Sequence, residues 1–398
     1  MAPTTPSTSS SASPSPAAAA KTSSPSSSAR RSPLDDGMYC YLNAVAQNGS
    51  GAERAMAESR LLLEQRVHDG TMEVGDSCNK TRLVQRVGSG SFGDVYLGLT
   101  DTNAEVAVKV ELSSCPSSSR CLLYEGDVYR KLSGCPGIAN VRWFGMHGSD
   151  YSVLVMDLLG PTLYSVWSQL GQKLSMRTLL TIVDQSLEII SHVHSRGFVH
   201  RDLSPSNFML GPSKDRIYLI DFGQSKKPVM KLVPASRNRF SFARPIVGTP
   251  RFTSSFAHAG CEPSYRDDME SLGFLWVYLA KGRLPWQGIT DCAGPAKIGR
   301  IGQLKMTTPV EELCSGLPQE FAAFITYARS LRPYDMPDHS SARAMFRSLA
   351  EKLCPDDESP LDWMGLDLDA ADAGSSKDSN PTRSDSEEDV ALVTRLSK

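Results

Sequence analysis

His200-Arg-Asp202-Leu-Ser204-Pro-Ser-Asn207 and, fourteen residues further on, Asp221-Phe-Gly223 are the two stretches that decide the fold. The apolar periodicity of residues 179 to 194 predicts a helix that ends just before the first. The strand-like run 216 to 220 leads directly into the second. Both stretches therefore fall on loops at the ends of regular elements. Asp202 and Asn207 stand five residues apart, and Asp221 adds a second carboxylate. One carboxylate can receive or orient a hydroxyl proton, while an amide and a second carboxylate offer hard oxygen ligands to a divalent cation such as Mg²⁺.

Upstream, Gly88-Ser-Gly90-Ser-Phe92-Gly93-Asp94-Val95 lies between two strand-like runs. Glycines there let backbone approach phosphates without Cβ clashes. Alone this pattern also fits a plain hairpin, and in dinucleotide folds a similar pattern precedes a helix rather than a strand. Sixteen residues after Gly93, Val106-Ala-Val-Lys109 places a lysine on the next strand. Glu125, in a following helical stretch, is its expected carboxylate partner, with an ordinary helix-surface glutamate as the alternative. Glycine loop, strand lysine, His-Arg-Asp loop and Asp-Phe-Gly occur in the order and spacing of protein kinases, which the chain resembles. The resemblance implies that it binds ATP and Mg²⁺, with Lys109 on the phosphates and Asn207 and Asp221 on the metal.

Strand-like alternation at 83 to 99, 105 to 110 and 152 to 156 gives way to helical periodicity at 179 to 194, 267 to 279 and 321 to 330. Strands first and helices after imply an α+β, bilobal kinase fold with a small β-rich N-lobe and a larger helical C-lobe. Asp268 fits the buried aspartate that anchors the catalytic loop in kinases; the alternative is a helix N-cap. Residues 1 to 75 read as a Ser/Pro/Ala-rich extension, largely disordered, with one short helix over 52 to 67. A Ser-rich transit peptide is the alternative, opposed by its prolines. The kinase domain is expected over 76 to 353, followed by an acidic, Ser-containing tail, 354 to 398, in which Ser384 and Ser386 are plausible phosphoacceptors.

Formal net charge is −2, so no dedicated nucleic-acid or anionic-membrane partner is implied. Nine cysteines, with no C-x-x-C pair, indicate neither a disulfide framework nor a structural zinc site. The longest apolar run, 272 to 280, is too short to span a bilayer. These features lead to the expectation of a soluble monomer in the cytoplasm, with the nucleus as the alternative.

Longer stretches resemble the casein kinase I family from about Thr81 to Leu353. They are Val87-Gly-Ser-Gly-Ser-Phe-Gly-Asp-Val-Tyr-Leu-Gly98, Met156-Asp-Leu-Leu-Gly-Pro161, Tyr265-Arg-Asp-Asp-Met-Glu-Ser-Leu-Gly273, Leu284-Pro-Trp-Gln-Gly288, Met306-Thr-Thr-Pro309 and Tyr327-Ala-Arg-Ser-Leu-Arg332. The resemblance implies a Ser/Thr protein kinase acting on protein substrates, with Asp202, Lys109 and Glu125 catalytic. ATP is then expected among Val87, Gly88, Ser89, Gly90, Ser91, Phe92, Gly93, Val95, Ala107, Lys109, Met156 and Leu159. Met156 would border the adenine, and Leu159 would offer backbone hydrogen bonds. Arg251, in Gly248-Thr-Pro-Arg251, and Lys297 would contact acidic or pre-phosphorylated substrates. Three departures stand out. Ile289 to Lys297 replaces a lysine-rich stretch, Ser254-Ser-Phe256 replaces Ser-Ile-Asn, and Ser204 replaces the catalytic-loop lysine. The last leaves a second reading, a pseudokinase scaffold that binds ATP but transfers phosphate poorly.

Overall fold

The computed structural model describes residues 43–47, 50–90, 93–112, 121–228, 246–355 and 359–366. The N-lobe is a six-stranded antiparallel sheet ordered β1-β2-β3-β4-β6-β5. Its strands are β1 (Glu73–Val74), β2 (Thr81–Gly90), β3 (Gly93–Thr100), β4 (Glu105–Leu112), β5 (Val141–His147) and β6 (Tyr151–Asp157). Helix α1 (Gly51–His68) precedes the sheet, and α2 (Cys121–Lys131) interrupts it between β4 and β5. Antiparallel register sorts the side chains into two faces. Val95 pairs with Lys109, Lys109 with Leu154, and Ala107 with Met156. These residues share the face toward the cleft, because directly paired residues point to the same side. Tyr96, Val106, Val108, Val110, Val153 and Val155 occupy the other face and form a separate buried cluster.

The C-lobe packs α3 (Leu163–Gln169), α4 (Met176–Ser195), the hairpin β7 (Phe208–Leu210) and β8 (Ile217–Leu219), α5 (Ser255–His258), α6 (Tyr265–Lys281), α7 (Gly294–Thr307), α8 (Val310–Leu313), α9 (Gln319–Ser330) and α10 (His339–Leu353). Helix α6 is buried along most of its length, with Met269, Leu272, Phe274, Leu275 and Trp276 at its core. It starts at a capping box, in which Ser264 and Asp267 satisfy each other's end of the first turn. Asp268 is thereby released from the capping role and points inward at 1% exposure.

The packed body is wider than residues 76 to 353. Leu63 and Val67 of α1 join the outer N-lobe cluster, so the predicted short helix is docked on the sheet. Beyond α10, Leu361 and Trp363 are buried at 8% and 1% exposure. The Trp363 indole N–H donates to Lys214 O at 2.8 Å, and Asp362 accepts from Ser175 N at the start of α4 at 2.6 Å. An acidic composition there conceals two large apolar anchors, and burying those anchors offsets the ordering of the segment around them. The expected tail phosphoacceptors Ser384 and Ser386 and the Ser/Pro-rich residues 1 to 42 lie outside the described residues.

Candidate active site

Lys109 is the centre of a charged cluster. Its Nζ lies 2.7 Å from Glu125 Oε2 and 3.7 Å from Asp221 Oδ1. The expected partner is therefore in place although glycine follows it. Gly126 is required at this turn of α2, because a Cβ would lie 2.5 Å from the Phe144 ring carried by β5. Burial alone would lower the pKa of Lys109, but the charges of Asp221 and Glu125 outweigh burial and raise it. The ammonium is thus held charged. Burial pushes Glu125 up to about 7 against the opposing pull of Lys109. Glu111, on the same strand face, is likewise pushed up to about 7 by burial, and its Oε2 accepts from Leu122 N at 3.3 Å in the first turn of α2.

A column of aromatic rings joins α2 to the catalytic loop. Tyr129 meets Phe222 edge-on at 4.9 Å, and Phe222 meets His200 at 5.0 Å. The Asp221 N–H donates to Tyr129 Oη at 3.2 Å, which ties the start of the Asp-Phe-Gly segment to the same helix that carries Glu125. His200 Nε2 contacts Ile220 O at 3.1 Å, and Asp202 N contacts His200 Nδ1 at 3.3 Å. A carbonyl only accepts and an amide N–H only donates, so these partners assign His200 the Nε2–H tautomer.

The loop hangs on Asp268, as expected. Its Oδ2 accepts from His200 N at 2.7 Å and meets His194 Nε2 at 3.0 Å, while Oδ1 accepts from Arg201 N at 2.9 Å. Arg201 and Asp221 both adopt positive φ, 77° and 63°. Such backbone is costly for residues with a Cβ and persists where surrounding contacts hold it. Here the contacts are the Asp268 carboxylate and the Tyr129–Phe222–His200 column.

Asp202 Oδ1 accepts from both the backbone N and the Oγ1 of Thr249, each at 2.9 Å. Gly248 makes that approach feasible. It sits at φ +85°, and a Cβ would lie 2.4 Å from Arg201 O and 3.2 Å from Asp202 Oδ1. Burial first, then the charge of Asp221, raises the Asp202 pKa, which favours a group able to take a proton. The Asn207 side-chain amide donates to Asp202 O at 2.8 Å, leaving its oxygen as an acceptor. That oxygen and the Asp221 carboxylate, 24% exposed, are the hard donors that Mg²⁺ prefers. Among the described residues no three His, Cys, Asp or Glu side chains group to hold a metal by themselves. Two protein donors suit an ion completed by phosphate oxygens and water, so the residues present fit Mg²⁺ bound with a nucleotide.

The nucleotide side follows from register. Gly88 pairs with Val95, Ser89 with Asp94 and Gly90 with Gly93, while the expected Ser91 and Phe92 lie outside the described residues. Val87 lies on β2, and Val95, Ala107 and Met156 share the cleft face. Asp157 is pinned by Asn140 Nδ2 at 2.8 Å and Arg142 Nη2 at 3.1 Å, and Gly160 N donates to Leu210 O at 2.8 Å. The segment containing Leu159 is thus fixed at both ends. Thr249 and Tyr129 were missed by sequence reasoning. The Gly-Thr-Pro run was a signal for the first, whereas a lone tyrosine one turn after Glu125 gave none for the second.

Arg251 and Lys297 are buried, at 8% and 6% exposure. The Arg251 guanidinium stands over the Tyr278 ring at 5.5 Å, and Arg251 O accepts from the Trp286 indole at 2.8 Å. Ser254 and Ser255 donate to buried carboxylates of α6. Ser254 bonds Asp267, and Ser255 bonds Glu270 at 2.9 Å, which Arg329 also engages at 2.7 Å. The departure at 254–256 thus anchors the segment after Arg251 to the C-lobe.

A charged lysine bracketed by Glu125 and Asp221, an aspartate whose pKa is raised, and two oxygen donors that fit a cation are the parts a phosphoryl-transfer site needs. The family model of the protein kinase domain matches residues 81–352, and the chain belongs to the protein kinase family. Members of that family use ATP, typically with Mg²⁺.

Proposed function

We propose that the chain is a Ser/Thr protein kinase of the casein kinase I type, transferring the γ-phosphate of Mg·ATP to hydroxyls of protein substrates. The observation that carries this reading is the closed Lys109–Glu125 pair at 2.7 Å, with Asp221 also in reach of Lys109. Bound Mg·ATP supplies the transferable phosphoryl group. Lys109 offsets negative charge on the phosphates, Asn207 and Asp221 hold the cation, and Asp202 orients the acceptor hydroxyl and takes its proton. The casein kinase I assignment rests on the stretches quoted above. It is supported by the Ser254 and Ser255 anchors, which seat the replacement for Ser-Ile-Asn on α6.

A preference for acidic or pre-phosphorylated acceptors rests on Arg251 and Lys297. Their burial, and the engagement of Arg251 with Tyr278, favour a weak preference rather than a requirement. The reading is tested by labelling casein with γ-labelled ATP and identifying the phosphorylated amino acid. Phosphoserine or phosphothreonine supports it, and phosphotyrosine alone overturns the acceptor class. Parallel peptides carrying a neutral, acidic or phosphorylated residue upstream of the acceptor should differ by less than about tenfold in kcat/KM.

A further inference from the structure

Helix α1 ends before residue 81, where the family match begins, yet it covers the outer face of the glycine hairpin. Arg60, Leu63, Glu64 and Val67 recur at helical spacing and share one side of α1. Leu63 and Val67 are buried against Tyr96, which is fully buried. Around that apolar contact, oppositely charged groups alternate. Arg60 Nη2 donates to Asp94 Oδ2 at 2.8 Å, and Tyr96 Oη donates to Glu64 Oε1 at 2.9 Å. Arg86 of β2 lies 3.7 Å from Glu64 and 3.8 Å from Asp94. The helix is therefore tied to both strands of the hairpin. Asp94 directly follows Gly93 and pairs with Ser89, so it marks the base of the loop expected over the phosphates. Its side chain is 7% exposed, whereas that of Arg60 is 29% exposed.

We propose that Arg60 is a positioning residue for the phosphates of Mg·ATP. Through Asp94 it holds the glycine hairpin in a receptive geometry, which makes α1 part of the nucleotide site. A glycine-rich segment is costly to order on a ligand, and fixing the described base of this hairpin at Asp94 beforehand reduces that cost of binding. Val95 points to the cleft and its neighbour Asp94 to α1, so one strand carries the connection.

The inference rests on the kinase reading, and calorimetric titration of the full chain separates the two. Mg²⁺ with a non-hydrolysable ATP analogue should bind Arg60→Ala about fivefold more weakly than wild type. Adenosine, which has no phosphates, should bind both equally. KM for ATP should rise in parallel while kcat stays within about twofold. Asp94→Asn should behave like Arg60→Ala, the double variant should be no weaker than either single, and Arg60→Lys should retain most of the affinity. Arg60→Ala binding the analogue like wild type, equal loss for adenosine, or additive single effects would each overturn the role of Arg60. Wild type that fails to bind the analogue would overturn the kinase reading, and this inference with it.

Discussion

Replacing Lys109 by methionine keeps the stem of the side chain and removes its charge. The structure makes that change felt beyond the chemistry, because the lysine side chain is only 16% exposed and its partner Glu125 only 3%. Burial holds Glu125 at about 7 while Lys109 pulls it down, so the variant moves it higher still. The folded pKa then stands further above the ordinary 4.5. A carboxyl with a raised folded pKa contributes stability that is complete below its unfolded pKa and is lost as pH rises through the folded one. Between pH 6 and 8 an acid poised near 7 loses part of that stability, and one raised further loses more. The deficit of Lys109→Met relative to wild type should therefore widen over that interval, by on the order of 1 kcal/mol. At about 2 °C per kcal/mol for a domain of this size, the gap in Tm grows by about 2 °C. Glu111, which Lys109 also pulls down, adds in the same direction. Thermal melts of both proteins at pH 6 and pH 8, beside a phosphate-transfer assay, check this. Transfer should be lost at both pH values in a folded protein. An equal Tm gap at the two pH values, or retained transfer, refutes the reasoning.

Thr249→Val removes one of the two hydrogen bonds to Asp202 Oδ1 and should lower kcat about tenfold, with KM for ATP changed less than about twofold. Steady-state kinetics read this directly, and an unchanged kcat would contradict the orienting role of the hydroxyl. Ser204→Lys should raise kcat about tenfold, because a hydroxyl cannot supply the charge of the missing lysine as the phosphoryl group moves. An unchanged or lower kcat in a folded protein would mean that another group already fills that role. Trp363→Ala should cost about 3–5 kcal/mol in denaturant unfolding, because the indole is 1% exposed and caps Lys214 O. A loss under about 1 kcal/mol would show that residues 359–366 contribute little to the body.

The cleft was legible in the sequence because its chemistry demands fixed residue types at fixed spacing. Lys109, Asp202, Asn207 and Asp221 each sit at the end or on the face of an element whose periodicity is plain, and Asp268 was found for the same reason. Legibility failed where a contact joins distant segments. Tyr129 earns its place through Phe222 and Asp221 N, both supplied by a loop some ninety residues away. Helix α1 mixes six charged residues with eight apolar ones, so nothing in its own pattern indicated that Arg60 and Glu64 would meet the β2–β3 hairpin. Leu361 and Trp363 were hidden because composition averages over a window, whereas burial is decided by two side chains. Arg251 and Lys297 show the converse, since a basic residue in a familiar motif carries no signal of how deeply the fold will bury it.

The most direct test of catalysis is a time course of phosphate transfer from Mg·ATP to casein by the full chain, run beside Asp221→Ala with nucleotide binding measured in parallel. Asp221 stands 3.7 Å from Lys109 and is the proposed cation ligand, so its loss should abolish transfer while the fold persists. The account predicts steady, slow transfer by the wild-type chain that is clearly above the Asp221→Ala background. Wild-type chain that binds Mg·ATP yet transfers no more than Asp221→Ala would contradict it and establish the scaffold reading raised by Ser204.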